Sequence, residues 1–126
     1  MNISLARQHY SMTKQSNLSS VEQNAVAIKL AMEQLINAMN GIISNISIED
    51  KEQNFEVALT RIYLLQKCLD FEAGGDLAKN LFRVYEHVRK EIIKTSFNEN
   101  DTKQLENAIS YITLIYEGWS DITKKV

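Results

Sequence analysis

The stretch that determines the architecture, residues 55–92, reads FEVALTRIYLLQKCLDFEAGGDLAKNLFRVYEHVRKEI. The apolar positions before and after its Gly-Gly pair are Phe55, Ala58, Leu59, Ile62, Leu65 and Leu69, then Leu77, Leu81, Val84, Val88 and Ile92. Because these positions recur in steps of three and four, they predict two amphipathic helices. Gly74 and Gly75 lack a Cβ, so the helix that carries Phe55 to Leu69 is expected to stop before them. The chain is expected to leave that helix with positive φ. Asp76 then suits the positive end of the following helix.

The flanking sequence predicts one further helix on each side. Residues 20–23 form a capping box, followed by an apolar stripe from Ala25 to Ile42 that fades near residues 41–45. The second helix begins near residues 47–51, and residues 101–104 resemble the start of a fourth. Each helix has about 20 residues, and short connections make neighbouring helices antiparallel.

The pattern therefore predicts an all-α fold, an antiparallel up-down four-helix bundle. Residues 20–126 would form this bundle as a single domain. The polar residues 1–19 would form an N-terminal arm that is either flexible or docked by a few side chains.

Composition supports a helical cytoplasmic protein. The chain has 126 residues, no proline and four glycines, fewer turn-forming residues than a β-rich fold of this size needs. Its net charge of −2 gives no reason to expect nucleic acid as a partner. The single cysteine, Cys68, favours a small hydrophobic residue in a reducing compartment. We expect no membrane insertion and no signal peptide, because no segment is apolar enough.

The sequence does not predict an enzyme, a metal site or a cofactor. A di-iron bundle requires Glu three residues before His, and neither His9 nor His87 has it. His87 and Lys90 match the His-x-x-Lys spacing of phosphotransfer bundles, but Glu91 would place a negative charge beside the phosphate. A solvated surface histidine is the better interpretation of His87.

The informative feature is a surplus of apolar residues beyond the core stripes. They are Tyr63, Leu64, Phe82, Tyr85, Ile93, Tyr111, Leu114, Ile115 and Trp119. A simple bundle helix needs an apolar stripe only somewhat wider than about 100°. The surplus is therefore interpreted as a groove for an apolar partner, or alternatively as the homodimer interface of a non-enzymatic adaptor or structural bundle.

Residues 74–88, GGDLAKNLFRVYEHV, resemble the signature of the flagellar secretion chaperone family FliS. In that signature two glycines and an acid precede an Ala-x-Asn-Leu-x-x-Leu-Tyr helix. The last helix, ending in Trp119, is also similar, and the resemblance covers residues 45–122. The first helix departs from the family pattern, since Val21 stands where members usually carry proline.

The resemblance implies a chaperone that binds the disordered C-terminal segment of flagellin and blocks premature polymerisation. The loaded complex would be recognised by the cytosolic domain of the export gate FlhA. The candidate contacts to the client are Leu64, Asn80, Phe82, Arg83, Tyr85, Ile93, Tyr111 and Ile115. By the same resemblance, Ile3, Leu5 and Tyr10 of the arm would cover the empty groove.

Overall fold

A computed structural model describes residues 20–44, 47–97 and 102–124, which form four helices and contain no strand. We number them α1 (Ser20–Ser44), α2 (Ile48–Lys67), α3 (Phe71–Phe97) and α4 (Lys103–Lys124). The predicted all-α class is confirmed. The predicted arm, residues 1–19, lies outside the described residues, and so do the side chains of the predicted capping box.

The helices close into a ring in which each one packs against two neighbours. Helix α1 contacts α2 and α4, and α3 contacts α2 and α4. The indole nitrogen of Trp119, near the end of α4, donates a hydrogen bond to the carbonyl of Ala25, near the start of α1, at 2.8 Å. Helices α4 and α1 therefore run antiparallel. So do α1 and α2, because Gly41 lies against Asn54 whereas Gln34 is bonded to Arg61, and the predicted up-down bundle is confirmed.

One apolar core joins the four helices. Its buried members are Ala31, Met32, Leu35, Ala38, Met39 and Ile42 of α1, Ala58, Ile62 and Leu65 of α2, Tyr85, Val88 and Ile92 of α3, and Leu105, Ala108 and Ile112 of α4. Gly41 of α1 lies against α2, where a Cβ would clash with the Asn54 side chain. Close helix packing of this kind excludes water from the apolar stripes, which is the main stabilising contribution in such a fold.

Polar side chains connect neighbouring helices at the edges of this core. The hydrogen-bonded pairs are Arg61–Gln34 between α2 and α1 (2.5 Å), Gln66–Glu86 between α2 and α3 (2.8 Å), and Tyr116–Glu33 between α4 and α1 (2.7 Å). The hydrogen bond that Tyr116 donates to Glu33 raises the pKa of that phenol. These bonds favour one register of the helices, because a shifted register would leave half-buried polar groups without partners.

The start of α2 is as the sequence predicts, but its end is not. Ser47 caps α2, and its hydroxyl accepts a hydrogen bond from the amide of Asp50 at 3.1 Å. The helix ends at Lys67, well before the Gly-Gly pair, with Cys68 as its C-cap. The carboxylate of Asp70 then accepts hydrogen bonds from the amides of Glu72 and Ala73, at 3.1 and 3.0 Å. This side chain caps a new helical turn, so the boundary between α2 and α3 lies before the glycines.

The predicted positive φ is confirmed at Gly75, where the backbone of α3 breaks with φ 52° and ψ −127°. Helix α3 thus consists of one turn from Phe71 and a long segment from Asp76 onward. Residues with a Cβ rarely adopt this conformation, which explains the need for glycine.

Gly75→Ala should lower the free energy of unfolding by about 1–3 kcal/mol, because alanine is strained at this φ although no atom lies within 4 Å of the added Cβ. Gly118→Ala is the matched control. Its Cβ also meets open space, but Gly118 lies within α4, so the change should stabilise the fold by about 0.5–1 kcal/mol. Urea unfolding of both variants tests this. Equal effects would contradict a conformational role for Gly75.

Candidate functional site

An apolar groove opens at the end of the bundle where α2 ends and α3 begins. We call it the end groove; its volume is about 400 Å³. Its lining residues are Ile28, Leu65, Cys68, Leu69, Asp70, Ala73, Gly74, Leu77, Ala78, Leu81, Tyr85 and Trp119. All four helices therefore contribute to it, together with the connection between α2 and α3.

The chemistry of the end groove is almost entirely apolar. Asp70 is the one charged side chain among its described lining residues, and that carboxylate already accepts two backbone hydrogen bonds. Leu77, which the sequence placed in the core stripe, is 66% exposed. It follows the Gly75 break at the open end of the bundle, where it lines the groove instead of meeting a facing helix. An exposed leucine on an apolar groove is typical of a surface that binds an apolar segment.

Tyr85 forms the floor of the end groove. It is only 2% exposed and belongs to the core, although the sequence placed it one position round from the core stripe. Burial raises the pKa of Tyr85 to about 12, with a smaller contribution from the nearby Cys68 thiol. The phenol thus stays neutral, which keeps the floor of the groove uncharged.

A second recess, the side groove, continues the end groove along α1 and α2. Its lining residues are Asn24, Ala27, Ile28, Ala31, Leu64, Leu65, Lys67 and Cys68, and its volume is about 340 Å³. It shares Ile28, Leu65 and Cys68 with the end groove. The two grooves therefore adjoin each other at these three side chains.

The outer face of α2 and α3 carries a different arrangement. A shallow recess of about 430 Å³ is lined by Tyr63, Gln66, Lys67, Phe82, Glu86 and Arg89. Glu86 accepts hydrogen bonds from Gln66 and from the guanidinium of Arg89, which forms an ion pair with it. These bonds lower the pKa of Glu86 to about 2, with Arg89 the largest cause. The recess is thus aromatic and charged, unlike the end groove.

The described residues offer no catalytic arrangement. No group of three His, Cys, Asp or Glu side chains within them could hold a metal ion. His87 is exposed, and its ring lies 5.9 Å from that of Tyr111, which confirms the surface position predicted for it. None of the described helices is both long and apolar enough to cross a membrane.

A comparison with protein families shows which family the chain belongs to. The family described as flagellar protein FliS matches residues 3–126 of the chain. The chain belongs to the FliS family. The resemblance that the sequence showed at residues 74–88 is thereby confirmed.

Two curated relatives show the same relationship. The flagellar secretion chaperone FliS of Vibrio cholerae serotype O1 is 31% identical over 110 residues, covering 85% of this chain and 79% of the relative. The flagellar secretion chaperone FliSB of Pseudomonas aeruginosa is 34% identical over 59 residues, covering 47% of this chain and 46% of the relative. No solved structure gives a significant match.

The structure distributes the site residues predicted for this FliS-family chain over several surfaces. Leu64 lines the side groove and Tyr85 the end groove, whereas Phe82 lines the outer recess. Tyr111 contacts His87 on α3. The other predicted client contacts are Ile93 and Ile115, which are half-buried, and Asn80 and Arg83, which are exposed and hydrogen-bonded to each other at 3.4 Å. The predicted arm residues Ile3, Leu5 and Tyr10 lie outside the described residues.

Sequence reasoning missed several residues that line the end groove. Ile28, Leu69 and Leu77 were assigned to core stripes, and Trp119 to the widened face of α4, because their spacing does not differ from that of buried residues. The signal that could have indicated them is the Gly-Gly pair. A break in α3 predicts that apolar residues on either side of it lack a continuous facing helix.

Glu86→Gln should reduce the loss of unfolding free energy that the protein shows at low pH. A folded-state pKa of about 2 lies below the usual 4.5, so the stabilisation is complete above pH 5 and is lost as the pH falls toward 2. Urea unfolding at pH 5 and pH 3 should therefore show a smaller loss of stability for the variant than for the wild type. An identical loss in both proteins would contradict the Glu86 ion pair in solution.

Proposed function

We propose that this chain is a non-enzymatic flagellar secretion chaperone of the cytoplasm. It binds the disordered C-terminal segment of flagellin along the adjoining end and side grooves. Membership of the FliS family and the names of both relatives support this assignment. The observation that carries it is the open apolar groove with Leu77 exposed at its edge.

The grooves suit an amphipathic segment that folds as it binds. Apolar side chains spaced three and four residues apart along a client helix would contact Leu69, Leu81 and Trp119. Ordering such a segment costs about 2–5 kcal/mol of the gross interaction energy, so the segment must bury a large apolar area. Two adjoining recesses provide more area than either recess alone.

This binding explains how the client would be kept from assembling. The C-terminal segment of flagellin packs inside the filament, so a chaperone that covers it blocks polymerisation before export. The loaded complex would then be delivered to the cytosolic domain of the export gate FlhA. In the absence of a client, Ile3, Leu5 and Tyr10 of the arm would cover the grooves.

Of the contacts nominated from the sequence, Leu64 and Tyr85 fit this binding path directly. Tyr85 would act through its ring at the floor of the groove, and Leu64 along the α1–α2 side. Ile93, Tyr111, Ile115 and Asn80 would contact only those parts of a client that extend beyond the two grooves. Phe82 and Arg83 line neither groove, and we do not assign them to the client.

Calorimetric titration with a peptide from the flagellin C-terminus tests the proposal. We expect sub-micromolar one-to-one binding with a negative heat-capacity change, because apolar surface is buried. The chain lacking residues 1–19 should bind at least as tightly. Failure of both forms to bind, together with a stable dimer in light scattering, would favour the homodimeric adaptor instead.

Leu77→Ala should weaken binding of this peptide at least about fivefold, since a groove anchor is worth more than about 1 kcal/mol. The control is Leu114→Ala. Leu114 is 67% exposed, as Leu77 is at 66%, but it lines neither groove. Its substitution should leave the affinity unchanged, and circular dichroism should show both variants fully helical. Equal losses of affinity would contradict the location of the client site.

A further inference from the structure

The outer face of α2 and α3 carries exposed aromatic rings that the proposed client grooves do not include. Phe71 and Phe82 of α3 form an edge-to-face pair with ring centroids 5.9 Å apart. Tyr63 of α2 is exposed beside them, and the ammonium of Lys67 lies 5.5 Å from the centre of its ring. We call Tyr63, Phe71 and Phe82 the aromatic surface. Three exposed rings on one face of a small protein are typical of a protein-binding surface.

Positive charges border the Phe82 side of the aromatic surface, whereas Asp70 and Glu72 flank Phe71. Lys79, Arg83, Glu86 and Lys90 follow one another on α3 at steps of four, three and four, so they share one stripe beside Phe82. Lys67 and Arg89 line the recess next to it. These six side chains comprise five cations and one carboxylate, so the Phe82 side is locally positive on a chain whose net charge is −2.

Much of this positive charge is available to a partner. Glu86 is occupied by Arg89 and Gln66. Lys67 lies over a neutral tyrosine ring, and the guanidinium of Arg83 donates to the amide oxygen of Asn80, which is also neutral. Cations on neutral partners, close to exposed rings, are complementary to a surface that is both acidic and apolar.

We propose that the aromatic surface and its cationic border form a second docking site that takes an acidic amphipathic helix of a partner protein. The partner's apolar stripe packs on Phe82 and Tyr63, and its carboxylates meet Lys79, Arg83 and Lys90. From Lys79 to Lys90 the stripe extends about 16 Å along α3, which matches about three turns of a docked helix. Nucleic acid fits this chain less well, because its net charge is −2 and a phosphate backbone favours a basic protein.

The aromatic surface is separate from the grooves assigned to the client, although Lys67 lines both the side groove and the outer recess. Along α3, Leu77, Leu81 and Tyr85 line the end groove, whereas Phe82 and Glu86 each lie one residue further and thus about 100° round the helix. A chaperone with its client bound would still present the aromatic surface. The proposal goes beyond the client-binding function and does not depend on it.

The test uses the full chain and two fluorescein-labelled helical peptides of about 14 residues, enough for the three turns required. Both carry leucine at steps of three and four; one has glutamate on the flanking positions and the other has lysine. We expect the acidic peptide to bind, the basic peptide not to bind, and the affinity to fall as NaCl is added. Phe82→Ala should weaken binding at least about fivefold and Arg83→Glu about tenfold.

Leu30→Ala is the matched control, because Leu30 is 52% exposed and Phe82 38%, but Leu30 lies on α1. It should leave the affinity for the acidic peptide unchanged, and Phe82→Ala should retain wild-type affinity for the flagellin peptide. Equal binding of both helical peptides, or equal losses in Phe82→Ala, Arg83→Glu and Leu30→Ala, would overturn the proposal. So would tighter binding to a single-stranded oligonucleotide, or a dimer in light scattering that Phe82→Ala abolishes, because the occupant would then be nucleic acid or a second copy.

Discussion

The rest of the structure depends on how the backbone passes from α2 to α3. Two local constraints operate within eight residues: Asp70 caps a new turn with its own carboxylate, and Gly75 breaks that turn with a positive φ. Together they prevent α2 and α3 from forming a simple hairpin whose apolar stripes close over each other. The core therefore ends at Leu65 and Tyr85, and the apolar residues beyond them line an open groove. A local backbone conformation thus creates the surface to which we assign the function.

The contrast between the two partner-binding faces follows from what surrounds the exposed apolar groups. Around the end groove, the one charged side chain among the described lining residues is already occupied by backbone amides, so a purely apolar segment can enter without leaving a charge unpaired. Around Phe82, cations border the rings and Glu86 is held by Arg89. The first face favours an apolar client, whereas the second favours one that brings negative charge. On these two proposals, the charge around each apolar surface determines which partner it binds.

Much of the architecture could be predicted from the sequence, because it depends on period and on local caps. The stripe from Ala25 to Ile42, the Ser47 cap and the positive φ at Gly75 follow from residue type and spacing, and the structure agrees. The end of α2 could not be predicted in this way. The apolar period continues through Leu69, and nothing in it shows that Asp70 will cap a separate turn.

The composition of the site was harder to predict than the fold, since burial depends on which helix covers a residue. Leu77 and Val88 have the same place in the α3 stripe, yet one is exposed at the open end and the other is buried in the middle. Tyr85 lies at the border of the stripe, where a small rotation of α3 decides between core and surface. The sequence predicted one groove for Phe82 and Tyr111, but they lie on different faces. Phe82 lines the recess between α2 and α3, whereas Tyr111 of α4 contacts His87.

The fluorescence of Trp119 tests the central claim most directly. Trp119 is the single tryptophan of the chain, lines the end groove and donates its indole hydrogen bond to Ala25. If the flagellin C-terminal segment occupies the groove, titration with a tryptophan-free peptide should change the intensity and shift the emission maximum, saturating at one peptide per chain. If calorimetry detects binding while the emission of Trp119 stays constant, the client binds elsewhere, and the end groove is not its site.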